Sequence, residues 1–175
     1  GNVQVSHGGS QTFSIAAGTG HYLSDVLVDD VSEGAISSRT FSNVTSNRTI
    51  HAVFEPYTYT LTYTAGANGS ITGTATQTVS YGSSGTAVTA VPATGYHFVQ
   101  WSDGSTTNPR TDANVTANIT VSAEFAINTY TLTYTAGAGG ILTGTVTQTV
   151  NYGASGTAVT AVPNTGYHFV KWSDE

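Results

Sequence analysis

Residues 58–103 read TYTLTYTAGANGSITGTATQTVSYGSSGTAVTAVPATGYHFVQWSD, and residues 129–174 repeat this stretch without a gap at 38 of 46 positions. The two copies are a constant 71 residues apart. A more divergent copy precedes them, because Asn43–Asn47 matches Asn114–Asn118 at the same offset. Repetition at one fixed period indicates a tandem array of structural modules.

The repeat register predicts three modules. Residues 57–127 form a complete module, residues 1–56 a divergent module that lacks its first strand, and residues 128–175 a module that lacks its last third. We expect the chain to be a window on a longer array, with further copies beyond both ends. No stretch approaches the roughly 18 apolar residues that a membrane helix needs, so we predict no membrane span in this segment.

The composition predicts a folded chain without covalent staples. Hydrophobic residues make up 38% of the chain and tyrosine appears 10 times, whereas cysteine is absent. A module of this size buries only about 60% of its unfolded surface. Its stability must therefore come from aromatic packing and from contacts with neighbouring modules. Only 4 residues are Lys or Arg and the net charge is −6, which argues against nucleic acid as a partner.

The alternation of apolar residues with threonine predicts an all-β or mainly β fold. Tyr, Leu and Tyr alternate with Thr over residues 57–64, and residues 71–81 alternate in the same way, which predicts a hairpin of two strands. Further strands are expected over residues 86–92, 96–101 and 119–125. The connections between modules are short, so we expect small antiparallel β modules arranged as beads on a semi-rigid rod.

Large apolar residues at repeated positions are predicted to form the module core, because a small module without cysteine has little else to pack. An alternative use of Tyr96, Phe98 and Trp101 is a stacking platform for sugar rings. The residues assigned to the core are Tyr59, Leu61, Tyr96, Phe98, Trp101, Phe125, Tyr130, Leu132, Phe169 and Trp172.

The combination of Gly95-Tyr96, Phe98, Trp101 and a terminal Ala123-x-Phe125 resembles the divergent internalin-type B-repeat family, relatives of the Listeria–Bacteroides repeat. The resemblance implies tandem modules on bacterial or archaeal surface and secreted proteins, and therefore an extracellular or cell-surface location. It also implies a β-grasp-like module with a short helix. Residues 86–92 favour a strand where that helix would lie, and the N-terminal module departs from the pattern because it has no Trp.

The sequence predicts no catalytic residue, cofactor or metal site. His97 and His168 occupy equivalent places but lack the neighbouring ligands that a metal or catalytic site requires. No Gly-x-Ser-x-Gly elbow is present. Scattered carboxylates are interpreted as solvated turn residues, with a calcium-binding loop as the alternative; they are Asp25, Asp29, Asp30, Glu33, Asp103 and Asp112.

Two further patterns concern the surface. Rows of threonine resemble ice-binding arrays but are common on solvent-facing strands; they are Thr72, Thr74, Thr76 and Thr78, with Thr143, Thr145, Thr147 and Thr149. Sequons that can accept N-linked glycans occur at Asn43, Asn47, Asn68, Asn114 and Asn118. An isopeptide crosslink in each module is excluded, because Lys171 is the only lysine and Gln100 is its counterpart.

The sequence therefore supports two functions. The first is a non-enzymatic structural segment of a long extracellular repeat protein: a stalk, fibre or surface-layer element. The second is an adhesin-type module that binds glycans or partner proteins through the loop Ser102–Asp112 or the aromatic strand. The expected partners are neighbouring modules. The incomplete modules leave unpaired strand edges, so self-association by strand donation into a head-to-tail filament is also expected.

Overall fold

A computed structural model of the chain describes residues 1–173, and every regular element in that range is a β-strand. The predicted all-β class is confirmed. The segment predicted as a strand at 86–92 forms a strand over Thr89–Pro92. The short helix expected from the β-grasp resemblance has no counterpart among the described residues. Threonine, tyrosine and valine explain this outcome, because β-branched and aromatic side chains pack well on a pleated surface.

The chain folds into two compact units. The first comprises Gly1–Thr62, Gly73–Val88 and Arg110–Thr120, and the second comprises Tyr63–Thr72, Thr89–Pro109 and, among the described residues, 121–173. The repeat and the compact units thus divide the chain at different residues.

The N-terminal module, residues 1–56, contains five strands: β1 (Gln11–Ser14), β2 (His21–Val28), β3 (Val31–Ser32), β4 (Ser38–Phe41) and β5 (Ile50–Pro56). β1 pairs with β4, and β2 lies between β3 and β5 in a three-stranded antiparallel sheet. Val26, Val28 and Phe41 form the buried core. Phe13 packs edge-on against Phe41, with the ring centroids 6.1 Å apart.

The middle module, residues 57–127, contains six strands: β6 (Thr58–Ala65), β7 (Gly69–Thr72), β8 (Thr76–Ser80), β9 (Thr89–Pro92), β10 (Tyr96–Trp101) and β11 (Ile119–Ile127). Four of them form one sheet in the order β10-β11-β6-β8, and β7 pairs with β9. The first strand of the module is therefore an interior strand, with β11 on one side and β8 on the other.

The single strand predicted over residues 71–81 is wrong, because the segment is two strands. Gly73 separates β7 from β8. Its φ is +97°, a backbone conformation that residues other than glycine rarely adopt. A Cβ atom at Gly73 would also lie 2.7 Å from the carbonyl oxygen of Ala87. The pairing predicted for the hairpin is confirmed between β6 and β8, which run antiparallel from Thr58↔Ser80 to Thr62↔Thr76.

The C-terminal module contains β12 (Thr129–Thr133), β13 (Gly140–Thr143), β14 (Thr147–Asn151) and β15 (Thr160–Pro163). Its pairs β12–β14 and β13–β15 reproduce β6–β8 and β7–β9. Residues 167–172, which match β10, form no strand, and residues 128–173 contain no equivalent of β11. The described residues of this module therefore cover the first part of the repeat.

Trp101 is the centre of the aromatic packing in the middle module. Its side chain is fully buried, and its indole N–H donates a hydrogen bond of 2.9 Å to the carbonyl oxygen of Thr107. The rings of Tyr63 and Phe98 meet it edge-on at centroid distances of 6.1 and 5.7 Å. Edge-to-face contacts of this kind stabilise a core beyond the area that they bury.

The residues assigned to the core differ in their burial. Leu61 and Trp101 are fully buried, whereas those at half burial are Tyr59, Tyr96, Phe98, Phe125, Leu132 and Trp172. The assignment to the core is wrong for Tyr130 and Phe169, because these residues are 52% and 47% exposed. In the middle module β11 pairs with the strands that carry their equivalents, and no such strand exists among the described residues of the C-terminal module.

We predict that Trp101→Ala lowers the free energy of unfolding of the middle module by about 3–5 kcal/mol, as truncation of a large core aromatic does. Trp172→Ala is the matched control, because Trp172 is the equivalent residue but is only half-buried. Urea denaturation followed by circular dichroism measures both variants. Equal losses in the two variants would show that Trp101 does not carry the core.

Candidate functional site: the junctions between modules

The two histidines do not form a metal or catalytic centre in the described part of the chain. His97 is exposed, and its Nδ1 lies 2.9 Å from Oδ1 of Asn128, the residue that links the middle and C-terminal modules. His97 thus contacts a side chain at the junction between these modules. His168 is exposed. No group of three metal-ligating side chains occurs among residues 1–173.

Several of the candidate carboxylates accept hydrogen bonds from their own module. Asp25 Oδ1 accepts bonds from Ser32 Oγ and from the backbone N–H of Gly34, at 2.8 and 3.0 Å. Asp29 pairs with Arg48 at 2.6 Å. A hydrogen bond from the backbone N–H of Thr49 holds the pKa of Asp29 below its ordinary value, and the charge of Arg48 acts in the same direction. These groups stabilise turns.

Two other acidic side chains also meet a cation. Glu33 lies 2.9 Å from Arg39. Asp112 accepts two hydrogen bonds from Arg110, at 2.8 and 2.7 Å, in a largely buried pair. A buried charge needs such a partner, because an unpaired one is costly. The pair therefore orders the end of the loop Ser102–Asp112.

The aromatic strand does not present a flat platform for sugars. Trp101 is fully buried, and Phe98 is half-buried between Trp101 and Phe125, with edge-on contacts at 5.7 and 6.2 Å. These rings contact one another inside the module. The threonine row is also divided, because Thr72 belongs to β7 whereas Thr76 and Thr78 belong to β8.

The sequon asparagines are all exposed, and several have a backbone role. Asn43, Asn68 and Asn114 occupy left-handed turns with φ of 50°, 66° and 51°. Asn118 is different, because its Oδ1 accepts the backbone N–H of Thr60 in β6 at 2.9 Å. Asn118 therefore helps to hold the first strand of the module in its sheet.

The junction between the N-terminal and middle modules consists of Gly20, Tyr57 and Tyr81. The backbone N–H of Tyr57 donates to the carbonyl of Gly20 at 2.9 Å, and the carbonyl of Tyr57 accepts the N–H of Tyr81 at 2.7 Å. The ring of Tyr81 lies against Gly20, where a Cβ atom would overlap it. Tyr57, the first residue of the middle module, is thus hydrogen-bonded both to the module before it and to the rest of its own module.

The junction between the middle and C-terminal modules has the same construction. The N–H of Asn128 donates to the carbonyl of Gly95 at 2.8 Å, and the carbonyl of Asn128 accepts the N–H of Tyr152 at 2.8 Å. Gly95 is buried at a φ of +82°, and the ring of Tyr152 occupies the space that a Cβ atom at Gly95 would need. The same atoms therefore perform the same roles at both junctions.

The side chains around the two junctions differ. At the first, Tyr22 packs against Tyr57 with ring centroids 5.4 Å apart, and the Tyr22 hydroxyl donates to Glu55 Oε2 at 2.7 Å. At the second junction, the contact between His97 and Asn128 stands where Tyr22 contacts Tyr57 at the first. The hydrogen bond to Glu55, and then the negative charge of that carboxylate, raise the pKa of Tyr22 above the usual tyrosine value.

Sequence reasoning missed these junction residues and one buried polar residue. The alternation over residues 71–81 predicts Tyr81 only as a strand residue, and Gly95 enters only through the family resemblance. The recurrence of Tyr-Gly and Thr-Gly-Tyr in both copies is the signal that could have found them. Gln77 lies within a threonine row but is 8% exposed, and its side chain bonds the carbonyls of Thr74 and Thr86 and the N–H of Thr86. Gln148 repeats these contacts in the C-terminal module.

We predict that Tyr22 ionises at higher pH than an ordinary tyrosine, because the folded chain favours its neutral form. The hydrogen bond to Glu55 therefore contributes fully below the usual tyrosine pKa of about 10 and is lost as the pH rises through the higher folded value. Titration of the ¹³Cζ resonance of Tyr22 measures this pKa. Glu55→Gln should bring it back towards the usual value, and a Tyr22 that titrates identically in both proteins would contradict the assignment.

The family model of the divergent InlB B-repeat domain matches residues 59–129 and 130–175, which confirms the resemblance. No curated protein and no solved structure is significantly similar to the chain. The family is a repeat-domain type typical of surface proteins. No helix long and apolar enough to cross a membrane occurs among residues 1–173. The repeat, the strand pattern and the matched residues agree: the chain belongs to the divergent InlB B-repeat domain family.

Proposed function

We propose that the chain is a non-enzymatic structural segment of an extracellular repeat protein, such as a stalk, fibre or surface-layer element. Its function in this proposal is to hold successive modules in a fixed order and orientation. The family supports the proposal, because this repeat-domain type is typically non-enzymatic and typical of surface proteins.

The construction of the junctions is the observation that carries the proposal. One residue links each pair of modules: its N–H is hydrogen-bonded to the module before it, and its carbonyl is hydrogen-bonded to the module that it opens. A flexible tether would leave these groups to water. A glycine-tyrosine contact closes each junction on one side. A linking residue bonded in this way limits the motion of one module relative to the next. A structural segment requires such a limit.

The internal bonding of the loop Ser102–Asp112 favours a structural role over an adhesin. The side chain of Asn108 bonds both the N–H and the carbonyl of Ala90, at 2.9 and 2.8 Å. The carbonyl of Thr107 accepts a hydrogen bond from the indole N–H of Trp101, and Arg110 forms an ion pair with Asp112. The loop thus directs much of its hydrogen-bonding capacity into its own module.

We predict that Gly95→Ala loosens the junction around Asn128 without unfolding the middle module. The added methyl group must displace the ring of Tyr152. Amide exchange at Asn128 and Tyr152 should accelerate on the order of tenfold, since a loss of ~1.4 kcal/mol changes a local opening equilibrium by that factor. Hydrogen exchange followed by NMR measures these two amides directly.

Gly166→Ala is the matched control. Gly166 is the equivalent glycine of the C-terminal module and has a φ of +86°, so the backbone strain is the same, but no atom lies within 4 Å of the added Cβ. This variant should leave the exchange of Asn128 and Tyr152 unchanged. If Gly95→Ala and Gly166→Ala behave alike, the junction contact does not restrain the modules and the proposal fails.

A further inference from the structure

Two tyrosine rings lie side by side on the surface at the first junction. Tyr22 of β2 and Tyr57, the residue after β5, have ring centroids 5.4 Å apart and an angle of 37° between the ring planes. Rings at centroid separations of about 4.5–7 Å are in contact. Both residues remain open to solvent, because Tyr22 is 39% and Tyr57 is 49% exposed. A reagent in solution can therefore reach both rings while they touch each other.

The register of β2 with β5 brings the two rings together. Tyr22 pairs directly with Glu55 in this antiparallel ladder. Tyr57 follows Glu55 by two residues, so it lies on the same face as the diagonal neighbour of Tyr22, within reach of a long aromatic side chain. The backbone N–H of Tyr57 donates to the carbonyl of Gly20 at 2.9 Å, which fixes Tyr57 beside β2. The ring contact thus follows from the strand pairing and from the junction itself.

A carboxylate is positioned to take the proton of one of the two rings. The Tyr22 hydroxyl donates to Glu55 Oε2 at 2.7 Å, and Ser24 Oγ donates to Glu55 Oε1 at 3.4 Å. Loss of one electron makes a phenol a strong acid, so its oxidation to a neutral radical needs a proton acceptor. A carboxylate in direct hydrogen-bond contact has the geometry for this transfer. Tyr22 is therefore the ring of the pair whose oxidation the structure assists.

We propose that Tyr22 and Tyr57 form a dityrosine cross-link, a carbon–carbon bond between the ring carbons beside the two hydroxyl groups. The co-reactant is a one-electron oxidant, such as an extracellular peroxidase with hydrogen peroxide. Each ring loses one electron and its hydroxyl proton, and Glu55 accepts the proton of Tyr22. The two radicals couple, and the hydrogens of the two coupled carbons move as protons to the oxygens and restore both hydroxyl groups. The two electrons and two protons that are lost reduce hydrogen peroxide to two water molecules.

The cross-link would connect the N-terminal module covalently to the first residue of the middle module. The chain has no cysteine, and its only lysine is Lys171, so neither a disulfide nor a lysine isopeptide bond can fasten this junction. A covalent loop over residues 22–57 stabilises the fold by restricting the unfolded chain. The second junction has His97 and Asn128 at the corresponding positions and cannot carry this modification. The inference deepens the proposed structural function, on which it rests, by naming a covalent modification of the junction.

Oxidation of the 175-residue chain at low concentration tests the proposal. Treatment with peroxidase and hydrogen peroxide should give a monomeric product that has dityrosine fluorescence and a mass lower by two hydrogen atoms. Tandem mass spectrometry of a proteolytic digest should place the bond between Tyr22 and Tyr57. The melting temperature of this product should exceed that of the untreated chain, because the new loop restricts the unfolded state.

Four variants separate the groups involved. Tyr22→Phe and Tyr57→Phe keep an aromatic ring at each position and should each abolish the internal product. Glu55→Gln keeps an acceptor for the Tyr22 hydroxyl but is a much weaker base. It should slow formation of the product on the order of tenfold, less than a general base contributes in an enzyme, because water also takes the proton. Tyr59→Phe is the matched control and should change nothing, because Tyr59 and Tyr81 form a half-buried pair with centroids 6.4 Å apart.

The proposal is overturned if the chain forms no internal product under conditions that couple N-acetyltyrosine in a parallel reaction. An unchanged yield in either phenylalanine variant of the pair, an unchanged rate in Glu55→Gln, or a bond between Tyr59 and Tyr81 also overturns it. Backbone NMR spectra establish that the variants are folded.

Amide exchange of Tyr57 and Tyr81 in the untreated chain separates this result from the structural role. Their N–H groups donate to the carbonyls of Gly20 and Tyr57 at the junction. Protected amides without a cross-link reject the dityrosine alone. Unprotected amides reject the fixed junction.

Discussion

One residue separates the last strand of each module from the first strand of the next: Tyr57 between β5 and β6, and Asn128 between β11 and β12. This constraint determines much of the architecture. The chain leaves a closing strand and enters an opening strand with almost no slack, so its linking backbone stays within hydrogen-bonding distance of both modules. The turn glycine before the link and the tyrosine after β8 or β14 complete the contact. A longer linker could connect two modules without these hydrogen bonds or the glycine-tyrosine contact.

The modules themselves are stabilised by a small core and by satisfied polar groups rather than by covalent crosslinks. Trp101 and Leu61 are fully buried at the centre of the middle module. The side-chain amide of Gln77 donates to the carbonyl of Thr74 and accepts from the N–H of Thr86, and Arg110 donates two hydrogen bonds to Asp112. Buried polar groups of this kind stabilise a fold only when each has its partners. Both of these side chains meet that condition.

Much of the fold could be predicted from the sequence, because alternation and repetition are local signals. The threonine alternation over residues 57–64 predicted β6, and the aromatic run predicted β10. The prediction failed where conformation depended on distant atoms. Gly73 divides one apparent strand in two because its φ is positive in the folded chain, and nothing in the alternation reveals this.

The junctions escaped prediction for a related reason. Gly95 and Tyr152 are 57 positions apart, and neither residue type indicates a contact with the other. The burial of Tyr130 and Phe169 likewise depends on a strand that the described part of the C-terminal module does not contain. The same aromatic residues thus form a core in the middle module and are exposed in the described part of the C-terminal module. Neighbouring strands, rather than residue type, decide which.

The most direct test of a fixed junction is a distance distribution measured across it. The chain has no cysteine, so Val99→Cys and Thr149→Cys introduce two unique sites for spin labels on exposed strand positions of the second compact unit. Pulsed electron paramagnetic resonance then measures the separation of β10 from β14 across Asn128. A hydrogen-bonded junction predicts one narrow distance peak. A broad distribution like that of a flexible linker would contradict the structural role proposed for this chain.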